Sequence, residues 1–465
     1  MSDDTGYSEQ STSNRGMHGS WASRWTFVLA ATGSAVGLGN IWKFPYITGE
    51  NGGGAFVLVY LGCILLVGLP VMMAEVMLGR RGRQSPINTM RMITSEAGLH
   101  GIWNGIGWLG VAAGLMILSY YSVIAGWALH YIGEMARGAF QGASAASADL
   151  QFGRLLADRD TLIFWQTVFM LLTVGVVAGG VTRGLGVAVR ILMPLLFVLL
   201  VVLMIFAYQK GDFARGFNFL FRFDFEALTF NGVLEALGHA FFTLSLGMGS
   251  IMAYGAYMPK HAKVGSTVLT VGIADTVVAL MAGLAIFPIV FANAGMEAAA
   301  GPSLMFVSLP VVFGNMTGGL FFGTLFFVLV GVAAWSSAIA LLEPGVAYLM
   351  EARGFHRITA NLLLGALVWV LGLGSLLSFN EWSDNRLAGF NFFEFMDFLT
   401  ASVMLPLTGL FIALFVGWMM KNELVHEELI DEKGWVLLAW QWVLRYIAPP
   451  AVLVILCLGV YKTFF

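Results

Sequence analysis

The chain is predicted to be an all-α polytopic membrane protein with about eleven transmembrane helices, two of them interrupted near mid-membrane. Three observations carry this prediction. Of 465 residues, 58% are hydrophobic and only 11% are charged, and the mean hydropathy is +0.81. That is more apolar than a water-facing surface of this size tolerates. Apolar stretches of about 20 residues, the length that crosses a bilayer, recur with short polar breaks between them. Two of these stretches carry a Gly-x-Gly at corresponding places, Gly37-Leu38-Gly39 and Gly247-Met248-Gly249.

The stretches fall at 24–48, 55–80, 103–136, 161–179, 186–208, 232–258, 265–292, 319–351, 358–378, 393–419 and 435–463. Residues 1–23 precede them as a polar tail rich in Ser, Gly and Asp, without the basic start and small-residue cleavage site of a signal peptide. No linker is long enough to divide the rest, so 24–465 is expected to form one transmembrane domain. Basic residues gather in alternate loops: Arg80, Arg81, Arg83 and Arg91; Arg183 and Arg190; Lys260 and Lys263; Arg353 and Arg357. By the positive-inside rule these loops are cytoplasmic, which puts the N-terminus inside and, with an odd number of spans, Phe465 outside. The stretches 209–231 and 295–317 combine aromatic residues with Gly, Pro and Asn and read as structured external loops.

Several classes of function are disfavoured. A net charge of −3 without a basic stripe argues against a nucleic-acid partner. Cys63 and Cys457 each sit in an apolar run and read as small hydrophobes rather than disulfide partners or metal ligands. No phosphate loop of the Gly-x-x-x-x-Gly-Lys-Ser/Thr kind supports ATP-driven pumping. A membrane-embedded enzyme lacks support too, since the spans hold no His-Glu-x-x-His helix and no serine with an evident base.

Chemistry concentrates around the two interruptions. The first reads Gly33-Ser34-Ala35-Val36-Gly37-Leu38-Gly39-Asn40; the second reads Phe242-Thr243-Leu244-Ser245-Leu246-Gly247-Met248-Gly249. Glycine weakens a helix by about 1 kcal/mol relative to alanine. A matched pair of weak points beside Asn40, Thr243 and Ser245 points to unwound backbone lining a polar chamber, the arrangement that hydrocarbon tolerates. Close packing through small residues is the rival explanation for each glycine taken singly. Asp275, an acid in the middle of an apolar span, marks a functional position with a cation as its expected partner.

The stretches Gly33 to Pro45, Glu50-Asn51-Gly52-Gly53-Gly54-Ala55-Phe56 and Phe241 to Gly249 resemble the neurotransmitter:sodium symporter family. In particular they are similar to its bacterial amino-acid transporters of the LeuT and multi-hydrophobic kinds, and the likeness extends over nearly the whole chain. It implies a LeuT-type inverted repeat of five plus five helices, 24–208 and 232–419, with 435–463 as an additional helix. It implies no enzyme but a secondary active symporter in the cell membrane, taking up small, mainly hydrophobic or aromatic L-amino acids with sodium. The rival within this class is a sodium-coupled carrier of another zwitterion, a β- or γ-amino acid or a betaine.

Residue by residue, the resemblance implies a first sodium site from the Ala35 carbonyl, Asn40, Thr243 and Asp275, completed by the solute carboxylate. A second site would use carbonyls of Gly33, Val36 and Ala333 with the hydroxyls of Ser336 and Ser337; Ser336 stands where the family usually has threonine. The solute carboxylate would meet backbone N–H groups at Leu38 and Gly39 and the Tyr121 hydroxyl. Its ammonium would face carbonyls of Ala35, Phe242 and Thr243, with Ser245 nearby. Ile117, Tyr121, Phe242, Met248, Ala338 and Leu341 would surround the side chain. Glycine at 37, where monoamine carriers have aspartate, favours a solute with an α-carboxylate. His239 and Ala279 replace the Gln and Ser of the family's anion site, which implies chloride independence. The resemblance also implies an outer gate of Lys43 with Asp397 and an inner gate of Trp21, Tyr257 and Glu351. The family's arginine before the tryptophan is absent from His18-Gly19-Ser20-Trp21; either His18 or Arg15 stands in for it, or the inner gate is looser. Gly184 and Pro194 form a helix-breaking pair in the fifth span like that of the multi-hydrophobic transporter, which either opens the inner sodium site to water or kinks the helix without a gating role.

Overall fold

The computed structural model describes residues 21–226, 228–259, 262–292 and 303–464. The tail 1–20 with Arg15 and His18, Lys260, and residues 295–302 of the second external loop lie outside them. Among the described residues, nine helices are long and apolar enough to cross a membrane. They are Gly54–Gly82, Gly101–Ala136, Arg159–Ala178, Gly180–Lys210, Val264–Phe291, Gly319–Arg353, Arg357–Leu377, Phe392–Met419 and Gly434–Tyr461. These correspond to the second to fifth and seventh to eleventh expected spans. The first and sixth are each divided into two half-helices, too short to count as crossings alone.

The first span begins at Arg24, where the Ser23 hydroxyl accepts the Thr26 N–H, and runs to Ala35. It stops because Val36 turns extended, at φ −75 and ψ 101. It resumes as π-helical Gly39–Lys43 and the helix Phe44–Glu50. The sixth span runs from Phe230 to Thr243 with Thr229 as its cap, then breaks until the half-helix Ser250–Ala256 begins. Within this break Ser245, Gly247 and Gly249 have φ of 54, 74 and 73. Glycine adopts that left-handed conformation without steric penalty, which accounts for the pair at 247 and 249. Ser245 holds it against its own side chain, whose hydroxyl donates to the Ser34 carbonyl at 2.8 Å. That bond joins the two breaks directly.

Neighbouring spans fix the breaks in place. Glu75, in the middle of the second span and fully buried, accepts the Gly247 N–H at 2.7 Å. Gly79, one turn on, lets the half-helix Ser250–Ala256 approach so closely that an added Cβ would lie 1.9 Å from the Met252 carbonyl oxygen. The three arginines that mark the end of the second span also act as braces. Arg80 pairs with Glu428 and donates to the Ala262 carbonyl at 2.7 Å; Arg81 bonds Glu96 and Glu427; Arg83 donates to the Met258 carbonyl at 2.5 Å.

The intervals hold more helix than the sequence announces, including Pro86–Glu96, Ala145–Ala157, Phe213–Phe221, Leu309–Asn315 and Asn422–Glu428. The eleventh span is interrupted at Ile447, between the helices Gly434–Tyr446 and Ala448–Phe464. Pro449 and Pro450 follow that joint and remove two backbone donors there.

Candidate functional site

Between the two breaks lies a small cavity lined by residues of both. Backbone of the first break forms one wall, at Ala35, Gly37, Leu38 and Gly39. Ile117, Phe242, Met248 and Leu341 give it an apolar end, and Tyr121 and Ser245 supply hydroxyls. All of these were expected there except Gly37, expected only as empty room. Ser34 and Ser337 complete the lining unannounced. Thr243 and Ala338 are buried but absent from the lining, and Thr243 turns its hydroxyl to Asp275.

At one end the Leu38 N–H donates to the Tyr121 hydroxyl at 3.2 Å. Gly37 is flush against this corner. A Cβ there would lie 2.4 Å from Ser337 Oγ and 2.9 Å from the Tyr121 hydroxyl oxygen. The corner thus presents amide donors and a phenol at the start of a half-helix, where a partial positive charge develops, and admits an anionic group no larger than the space that glycine leaves.

Two oxygen-rich clusters flank the cavity. In the first, Asp275, fully buried, accepts from Asn40 Nδ2 at 2.8 Å, from the Thr243 hydroxyl at 3.1 Å and from the Tyr60 hydroxyl at 3.4 Å. Asn40 Oδ1 in turn accepts the Gly37 N–H at 3.3 Å, which ties the cluster to the first break. No lysine or arginine pairs with Asp275 among the described residues. A buried carboxylate without a basic partner is costly, and oxygens arranged around it suit a hard cation. His239 sits beside this cluster, its ring 5.3 Å from that of Tyr60, with neither ring nitrogen bonded.

In the second cluster the Ser337 hydroxyl lies 3.3, 3.0 and 3.3 Å from the carbonyl oxygens of Gly33, Ser34 and Val36. The Ser336 hydroxyl lies 2.9 Å from the Ala333 carbonyl. All five residues expected at a second cation site therefore converge, with Ser34 as a sixth. The Ser337 hydroxyl has one proton for three carbonyls, so this cluster carries surplus acceptor capacity that a small cation would satisfy.

The residues expected at the two gates differ in how they are paired. On the side of Phe44–Glu50, Lys43 Nζ stands 4.7 Å from the centroid of the Phe242 ring, while Asp397 accepts from the Tyr120 hydroxyl at 3.2 Å. Lys43 and Asp397 are thus brought to one region but not into a direct ion pair. On the opposite side Trp21 is 2% exposed; its indole donates to the Tyr254 carbonyl at 3.1 Å and its backbone N–H to Tyr257 at 3.0 Å. The Tyr257 hydroxyl donates to Glu343 at 2.9 Å, and Glu343, fully buried, pairs with Arg357. Glu351, also expected at this gate, accepts from the Ser85 N–H and from Asn88 Nδ2, each at 2.7 Å, and lies near enough to Tyr257 to act on its phenol through its charge. Glu343 and Arg357 were missed. The signal was present, since Glu343 is an acid inside an apolar span by the same rule that singled out Asp275.

Gly184 belongs to a π-helical turn, Gly180–Leu185, that opens the fifth span, and Pro194 lies inside the helix Gly186–Lys210 that follows. The segment between them covers the second cluster: Met193 Sδ is 3.0 Å from a Cβ placed on Gly33, and Gly186 faces Trp21 and Thr26.

The comparisons with known proteins agree with this architecture. The model of the sodium:neurotransmitter symporter family matches residues 18–140 and 151–464. The sodium-dependent transporter YhdH of Bacillus subtilis is 37% identical over 442 residues, covering 94% of this chain and 96% of that protein. A sodium-dependent transporter of Haemophilus influenzae is 31% identical over 96% of this chain and 98% of its own length. Among solved structures, MhsT in complex with L-phenylalanine superposes with a TM-score of 0.86 at 42% identity, covering 96% of this chain and all of that one. With two helices broken around one cavity, a family match over both halves, and this likeness in sequence and structure, the chain is a multi-pass transporter of the LeuT fold that belongs to the sodium:neurotransmitter symporter family.

Proposed function

We propose that this transporter couples sodium entry to uptake of small, mainly hydrophobic or aromatic L-amino acids by alternating access, independently of chloride. One observation carries the reading: an apolar-ended cavity with an anion-receptive corner lies between two oxygen clusters that suit hard cations. The solute carboxylate belongs at Leu38, Gly39 and Tyr121, and its side chain between Ile117, Phe242, Met248 and Leu341. Sodium belongs at Asn40, Thr243, Asp275 and the Ala35 carbonyl, and at Gly33, Val36, Ala333, Ser336 and Ser337. The complex of MhsT with L-phenylalanine supports an amino acid of this size. The arginine-rich loops face the cytoplasm, so Trp21, Tyr257, Glu343 and Arg357 close the inner side. Residues 24–208 and 232–419 act as the two repeats, each contributing its own broken helix.

Chloride independence rests on Asp275. The Tyr60 and Thr243 hydroxyls, the donors an anion would need, already donate to its carboxylate, and Ala279 brings no further hydroxyl. Uptake of a labelled panel of amino acids into proteoliposomes, with sodium or potassium outside and with chloride or gluconate, tests the whole reading. Sodium-dependent, gluconate-tolerant uptake of phenylalanine or leucine is expected. Uptake indifferent to sodium, or restricted to β-amino acids or betaine, refutes it.

Two variants probe separate parts of the site. Gly37→Ala places a methyl group against Ser337 Oγ and the Tyr121 hydroxyl, so amino-acid affinity should fall roughly tenfold or more, about 1.4 kcal/mol. Equilibrium binding to the purified protein measures it, and undiminished affinity places the carboxylate elsewhere. Pro194→Ala restores an N–H to the fifth span and lets it donate to the Arg190 carbonyl. The helix that covers the second cluster should then open less readily, slowing sodium release inside several-fold while external sodium affinity holds. An unchanged release rate in stopped-flow measurements removes the gating role from Pro194.

A further inference from the structure

We infer that the cytoplasmic half of the fifth span is a docking surface for anionic phospholipid, with Arg183 and Arg190 as its phosphate ligands. Along this helix Val187, Ile191, Leu195, Val198, Val201 and Ile205 are exposed at intervals of three or four residues. One continuous apolar stripe of that kind is the face that meets lipid. Arg183 precedes Val187 by one turn and Arg190 adjoins Ile191, so both lie on the same stripe, and both are exposed. Neither pairs with a carboxylate among the described residues, in contrast to Arg80, Arg81 and Arg357 on the same side of the molecule.

Depth places them at the phosphates. From Ile191 to Ala207 the helix carries no charge, a length of about 25 Å that nearly fills the hydrocarbon layer. Arg190 therefore marks its cytoplasmic boundary, and the π-turn Gly180–Leu185 with Arg183 lies at headgroup level. Charge complementarity identifies the occupant, since two guanidinium groups without acidic partners at that depth meet phosphodiesters and bind net-negative headgroups best.

The surface also touches the gate. Arg190 Nε donates to the Gly186 carbonyl at 2.8 Å, just past the π-turn, and Gly186 faces Trp21 and Thr26. A phosphate that draws the Arg190 side chain outward withdraws that donor from the backbone of the segment covering the second cation cluster. Anionic lipid thereby favours opening on the cytoplasmic side.

Native mass spectrometry of the purified full-length transporter with phosphatidylglycerol or phosphatidylcholine tests binding without any assumption about the solute. Retention of phosphatidylglycerol over phosphatidylcholine is expected, is lost in Arg183→Gln/Arg190→Gln, and is kept in Arg183→Lys/Arg190→Lys. In proteoliposomes, adding phosphatidylglycerol to phosphatidylcholine should raise maximal uptake roughly fivefold for the wild type and leave the glutamine variant unmoved. Equal retention of the two lipids, or equal stimulation of the glutamine variant, overturns the proposal. So does stimulation by inorganic phosphate enclosed in phosphatidylcholine vesicles, which assigns the arginines to a soluble anion. Absence of uptake in every lipid, with selective retention intact, strikes the transport reading instead.

Discussion

Asp275→Ala is expected to weaken the apparent sodium affinity of uptake by about two orders of magnitude or more while the protein remains folded. Asp275 is fully buried and gathers the Asn40 amide at 2.8 Å, the Thr243 hydroxyl at 3.1 Å and the Tyr60 hydroxyl at 3.4 Å. Hydrogen bonds to a charged group contribute about 1.5–3 kcal/mol each. Alanine removes the anionic ligand and leaves those donors facing an empty space. A loss near 3 kcal/mol is about a hundredfold in a binding constant.

Asp275→Asn separates charge from shape. It keeps an oxygen and nearly the same volume, so its sodium affinity should fall by less. It also leaves the Tyr60 and Thr243 hydroxyls without a negative acceptor beside a bound cation. Chloride in the buffer should then partly restore sodium-driven uptake in the asparagine variant and do nothing for the wild type. Uptake measured against sodium concentration in chloride and in gluconate decides both points. An unaltered sodium dependence in Asp275→Ala would falsify the assignment of this cluster as a cation site.

Much of this architecture can be read from residue order alone, because hydrocarbon is an undemanding solvent to predict. It requires helices, and about 20 apolar residues make one crossing, so all eleven spans were legible from composition. The broken helices were legible because glycine recurs at matching points, and the structure uses Gly247 and Gly249 at positive φ while Gly37 serves close approach. The left-handed conformation of Ser245 was not legible, since it depends on a hydrogen bond to Ser34, more than two hundred residues away.

The buried acids divide in the same way. Asp275 stood out for its position alone, and the structure brings beside it Asn40 and Thr243, the residues that the resemblance grouped with it, as donors to its carboxylate. Glu75 and Glu343 lie equally deep in apolar spans, but their partners are a backbone N–H at Gly247 and a guanidinium on the next helix. Neither partner leaves a local pattern in the sequence. The acid that accepts from Tyr257 is Glu343, eight positions before Glu351, which lies near enough to act on the same phenol through its charge. The eight-residue interval is close to two helical turns, so both acids fall on similar faces of the eighth span, and spacing alone does not separate them.

The pairing at Glu343 leads to the other large effect, an Arg357→Gln transporter that no longer holds its inner side shut. Glu343 is fully buried, receives the Tyr257 hydroxyl at 2.9 Å and is neutralised by Arg357, whose Nε also donates to the Val177 carbonyl at 2.8 Å. Removing one partner of a buried ion pair costs about 3–5 kcal/mol, because the other charge is left in low dielectric. The charge is relieved when the inner side opens and water reaches it. The closed state therefore loses this free energy and the open state largely keeps its own, a shift in their ratio of about a hundredfold or more. Glu343→Gln should be milder, since it removes the charge that needs a partner and leaves Arg357 near the aqueous edge. The double variant Glu343→Gln/Arg357→Gln should recover part of the loss. A cysteine at Thr26, under the cover of Gly186, reports the state in a background where Cys63 and Cys457 are replaced by alanine. A membrane-impermeant thiol reagent applied to the cytoplasmic side should label it far faster in Arg357→Gln, with the wild type slowest and the double variant between them. Equal labelling rates across the set, or a double variant as open as Arg357→Gln, would show that the pair is packing rather than part of the gate.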